Sequence, residues 1–160
     1  MPEGLAEGVP VLAVAVLAIL CLTGAWLDVR YRRLPNWLCG VTALAGLAQA
    51  ALVHQAHPAP FWSFALHGAV ALVVGIGLFA LRWIGGGDAK FYAGLACWIP
   101  FERGAVMLVS VCLAGLVVLL GWFTLRRLQG KKIMGGKNDE AAKLPFGIAI
   151  ALGAFLAFTA

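Results

Sequence analysis

Seven of the 160 residues are acidic, and two of them, Asp28 and Asp88, stand where long apolar stretches meet basic residues. Glu3 and Glu7 precede the first apolar stretch, Glu102 sits beside Arg103, and Asp139 and Glu140 lie in the polar loop between Arg126 and Lys143. An ionisable group at the edge of a membrane is costly and is usually kept for function. Each of the two aspartates follows a stretch running one way and precedes one running back. The pair is therefore expected at the same depth, on different helices, where the two can face each other. Two close carboxylates cannot both ionise easily, so they share a proton. The ionised member takes a proton from water while the protonated one polarises a carbonyl. That arrangement hydrolyses peptide bonds, and its titration belongs to the pair rather than to either residue.

The flanks read as a built site. Gly85-Gly86-Gly87 precedes Asp88, and glycines allow positive φ and close approach of another backbone, such as an extended substrate. Pro35 follows the basic run after Asp28 and can open the next helix at Asn36. Plainer roles compete: Asp88 as a helix cap, and Asp28 as a partner of Arg32. The remaining reactive types carry less. Cys21, Cys39, Cys97 and Cys112 are scattered through apolar segments without a C-x-x-C pair, which suits small apolar fillers rather than a zinc or redox motif. His54 and His57 are three apart in a proline-containing loop with no acidic partner nearby, so no metal site is assigned. His67 is expected to hydrogen-bond a neighbouring helix.

The elements that must carry these residues follow from where charge is missing. The chain is 62% apolar and 12% charged, against roughly 45–50% and about 25% in soluble domains. A soluble domain of this size could not hide so much apolar surface, and disorder needs the opposite composition. Charge-free runs predict spans over about 9–27, 36–53, 61–82, 104–125 and 144–160. A sixth segment, Phe91 to Phe101, covers only about half of a ~30 Å hydrocarbon core. Starting it near Gly87 draws Asp88 below the membrane surface, with Lys90 snorkelling back to the headgroups. The expectation is an all-α polytopic bundle of about six transmembrane helices, the fourth short, forming one membrane-embedded domain over 1–160.

Both termini are placed on the outer side. Arg30, Arg32, Arg33, Arg82, Lys90, Arg126, Arg127, Lys131, Lys132, Lys137 and Lys143 then face the cytoplasm, and only Arg103 faces out. All six tryptophans fall near predicted span ends, as an interfacial belt requires. The net charge of +5 is thus topological, and no basic face with interleaved aromatics points to nucleic acid. The first span lacks a basic n-region, so it is expected to be retained rather than cleaved as a signal peptide.

Three blocks resemble a known family, the type IV prepilin peptidases. Asp28-Val-Arg-Tyr-Arg-Arg-Leu-Pro-Asn36 resembles that family's first catalytic motif. Gly85-Gly-Gly-Asp-Ala-Lys90 resembles its Gly-x-Gly-Asp-x-Lys motif, and Leu144-Pro-Phe-Gly147 the Pro-aromatic-Gly entry to its last helix. The short length is similar to the peptidases of tight-adherence (Flp-type) pilus systems, without the zinc-binding cytoplasmic insertion of longer members. The resemblance implies an aspartic endopeptidase of a bacterial inner membrane, with Asp28 and Asp88 as the catalytic pair. It would remove a short basic leader from prepilins at the cytoplasmic face, without a metal or other cofactor. Gly85, Gly86, Gly87, Lys90, Pro35, Asn36, Pro145 and Gly147 would bind substrate or shape the loops. Partners would be the prepilin, membrane lipids and the pilus assembly machinery. N-methylation of the mature pilin is left open, since no S-adenosylmethionine motif is visible. The alternative from another class is a transporter or assembly scaffold using the aspartates as proton-relay groups. The edge position of both aspartates disfavours it, because transporters build their sites near the bilayer midplane.

Overall fold

The computed structural model describes residues 11–53, 59–128 and 146–160. These residues form six α-helices and, among them, no strand. In chain order they are α1 (Val11–Tyr31), α2 (Asn36–Val53), α3 (Phe61–Ala80), α4 (Gly86–Ala96), α5 (Gly104–Leu128) and α6 (Phe146–Thr159), with a 3₁₀ turn at Phe101–Arg103 before α5. The helices α1, α3 and α5 are long and apolar enough to cross a membrane, while α2 and α6 are apolar but shorter. Large apolar side chains such as Leu12, Val73 and Val117 stand on the outer surface, as lipid-facing positions do. Lipid supplies no hydrophobic force between helices, so small residues that permit close packing hold such bundles together. Several of the glycines serve this packing. A Cβ on Gly94 of α4 would come within 2.8 Å of the Cys39 carbonyl of α2, and one on Gly46 of α2 within 2.9 Å of the Cys97 carbonyl.

The shortest helix is the centre of the bundle. α4 packs against α2, α3 and α6, and Phe91, Leu95 and Ala96 are fully buried. It begins at Gly86, one residue from the expected start, but ends at Ala96 instead of continuing to Phe101. The chain from Cys97 to Pro100 is not helical and is buried. Irregular backbone is tolerated at membrane depth only where protein wraps it, and two residues of α3 tie this stretch down. His67 Nδ1 bonds the Ile99 carbonyl at 2.8 Å. The Ser63 hydroxyl accepts the Phe101 N–H at 2.9 Å and donates to Glu102 at 2.6 Å. Trp98 corrects the interfacial-belt expectation. It is 2% exposed, its indole N–H donates to the Thr42 carbonyl at 2.9 Å, and its ring meets Phe158 edge-on. Trp26, Trp37, Trp62 and Trp83 are exposed.

Two helix ends differ from expectation in a way that matters for the site. α1 runs through to Tyr31, so Asp28 lies inside its last turn rather than after it. α3 stops at Ala80, and Arg82 takes φ 61°. The N–H groups of Arg82 and Trp83 then bond the carbonyls of Phe79 and Leu78, the paired closure that usually places glycine at the left-handed position. Arg32 closes α1 similarly, with φ 54° and its N–H on the Asp28 carbonyl.

Candidate active site

The end of the bundle where α1 and α3 finish is where α2 and α4 begin, and α6 opens against the same end of α1. Asp28 sits here, 8% exposed, and its Oδ2 accepts the Gly147 N–H at 2.7 Å. The first N–H groups of a helix have no partner inside it, and α6 directs one of them at the carboxylate, a favourable place for an anion. Glycine is required at 147 for space: a Cβ there would meet the Asp28 Cβ and Oδ2 at 2.9 Å. Arg32, one turn on, is within electrostatic reach of the same carboxyl.

Asp88 is the third residue of α4, and its carboxylate accepts the backbone N–H of Gly85. Asp88 is therefore not the N-cap of α4, which is Gly85 without a side-chain cap bond; it reaches back from inside the first turn, and this contact coexists with the pairing. Asp88 and Asp28 lie within electrostatic reach of each other. None of the three preceding glycines adopts positive φ, contrary to expectation. In this stretch the strained conformation falls on Arg82. The glycines serve close approach by the chain itself. A Cβ on Gly87 would lie 3.2 Å from the Leu34 side chain and 3.5 Å from its carbonyl, and one on Gly86 3.3 Å from the Phe79 ring.

The motif segments are thereby latched to one another. Lys90 donates to the Asn36 side-chain carbonyl at 3.0 Å, joining the first turns of α4 and α2. Pro35 precedes α2, and its carbonyl accepts the N–H groups of Leu38 and Cys39. The Phe91 ring occupies the space left by Gly24, one turn before Asp28 on α1, which sets the distance between the two aspartate-bearing helices. Two helix N-termini, those of α4 and α6, each direct an amide at one of the carboxyls, and each contributes partial positive charge.

Asp88 also lines a cavity of about 830 Å³ that runs between α3 and α5 over α4 and α6. Asp28 stands behind it in the packed interior. The arrangement offers one carboxyl open to an occupant of the cavity and a second held by a backbone amide. Among the described residues no group of three or more His, Cys, Asp or Glu gathers as a metal site. Pro145, His54 and His57 lie outside the described residues. Leu34, Gly24 and Phe91 were not singled out from sequence; Leu34 lay within the first motif, but Gly24 and Phe91 carry no local signal because their contact is between distant segments.

The profile of the type IV leader peptidase family matches residues 15–120. The chain belongs to this family. The match spans both aspartates and their flanking motifs, and it makes the protein a member of a family of membrane peptidases, with a prepilin-type polypeptide as the class of substrate. No curated protein and no solved structure matches the chain.

Proposed function

We propose that this leader peptidase is an aspartic endopeptidase that removes the short basic leader of a prepilin, of the Flp type, at the cytoplasmic face of a bacterial inner membrane. The observation that carries the reading is the placement of Asp28 and Asp88 on two different helices, within electrostatic reach, at the end of the bundle where the motif segments latch together. Two carboxyls so placed share one proton. A water held between them gives a proton to the ionised carboxyl as its oxygen attacks the scissile carbonyl carbon. The protonated carboxyl hydrogen-bonds the carbonyl oxygen and stabilises the charge that develops there. Collapse of the tetrahedral species breaks the C–N bond, and a proton passes to the leaving amine. Lys90 and Asn36 act by holding the α4 and α2 starts together, and the mature pilin would pass on to the pilus assembly machinery.

The test is co-expression with candidate prepilins and reading of the product's N-terminus by mass spectrometry. Asp28→Asn and Asp88→Asn are each expected to lose cleavage by at least a thousand-fold while remaining membrane-inserted. Full cleavage by Asp88→Asn would end the paired-carboxyl reading.

A further inference from the structure

The cavity that ends at Asp88 has walls of a particular kind. α3 packs on α4, and α5 packs on α6, but α3 and α5 are not packed against each other along their length. The gap between them is a trough with Ala89 and Tyr92 of α4 and Ile150 of α6 in its floor. We propose that this trough binds an apolar helical segment of the substrate polypeptide, entering sideways from the lipid and lying with its scissile end at Asp88; the assignment rests on the peptidase reading above.

Four features argue for this occupant. Along α3 the lining runs from His67 to Leu78, roughly 17 Å at 1.5 Å per residue, or about three helical turns. Phe101 and Glu102 line it together with His67, away from Asp88, so the trough has a catalytic end and a far end. Small residues at Ala71 and Ala105 let a backbone approach closely, which is how helices associate in lipid. The wall residues Val74, Ala105 and Leu108 are exposed, so a segment already in the membrane reaches the trough without passing through water. An acyl chain would fill the same apolar space but brings no peptide bond to the carboxyl that lines it. Binding energy gained along the trough, away from the reacting bond, is available to position that bond.

The experiment compares two substrates in liposomes: one with a cytoplasmic extension followed by a membrane-spanning apolar segment, and one truncated a few residues past the cleaved bond. Val74→Trp and Ala105→Trp fill the trough from opposite walls. Each is expected to lower kcat/KM for the spanning substrate at least ten-fold more than for the truncated one. Val73→Trp, exposed on α3 but outside the lining, is expected to cleave as the wild type does. A photo-crosslinking residue at position 74, placed in the Asp88→Asn background, is expected to capture the apolar segment. Equal losses on both substrates, no loss on either, or cross-links to lipid alone would overturn the assignment. Capture of the segment by a protein whose wild-type form cleaves neither substrate would support the trough and sink the peptidase reading instead.

Discussion

At the scale of single residues, Gly147 shows how a motif position can matter without bringing a side chain. Its amide holds Asp28 at 2.7 Å, and its lack of a Cβ is what lets α6 come that close. Gly147→Ala must push the helix start or the carboxyl aside. Overpacking of this kind costs about 1–3 kcal/mol, and the lost charge-assisted hydrogen bond adds about 1.5–3 kcal/mol where the carboxylate is left without it. The expected outcome is a folded, less stable protein whose leader cleavage falls by more than its loss of folded fraction explains. Thermal unfolding in detergent beside a cleavage assay separates the two. Cleavage at the wild-type rate would show that the Gly147 amide does not position Asp28. The sequence marks Gly147 through its Pro-Phe-Gly context, but its partner lies 119 residues away, and no local pattern names a partner at that distance.

At the scale of elements, α4 is an eleven-residue helix doing the work of a span by being surrounded. Its shortness was legible, because charged residues bracket Phe91 to Phe101. Its central position was not, since that depends on which non-sequential helices pack around it. The end of α1 was misplaced for a different reason. Charge marks where an apolar run stops, whereas the backbone continues helically through Asp28-Val29-Arg30-Tyr31 regardless of charge. Trp98 was misplaced because a tryptophan near a span end serves equally as an interfacial anchor or as a core residue with its N–H satisfied. The loop after α4 relies on Ser63, whose hydroxyl serves both the Phe101 N–H and Glu102. Ser63→Ala leaves that amide without its partner in a part-buried place, a loss of about 1–3 kcal/mol. Unfolding measured by steric trapping or thermal shift in detergent should register it. An unchanged stability would mean that His67 and the surrounding packing hold the loop alone.

At the scale of the whole molecule, the connectivity gathers the chemistry and the positive charge at one end. Arg30, Arg32 and Arg33 follow or end α1, Arg82 follows α3, Lys90 lies in the first turns of α4, and Arg126 and Arg127 close α5. Among the described residues Arg103 is the one Lys or Arg at the opposite end, in the 3₁₀ turn between α4 and α5. Such asymmetry sets orientation in a bilayer, with the basic end retained in the cytoplasm. On the proposed orientation the same feature would decide which compartment reaches Asp28 and Asp88, and so whether a leader made in the cytoplasm can meet the pair. In a protein freed of its native cysteines, a cysteine at position 82 is expected to react with a membrane-impermeant maleimide in inside-out vesicles and not in intact cells. A cysteine at position 103 should show the reverse. If position 82 reacts in intact cells, the carboxyl pair faces outward, and cleavage of a cytoplasmic leader would be excluded whatever the geometry of the site.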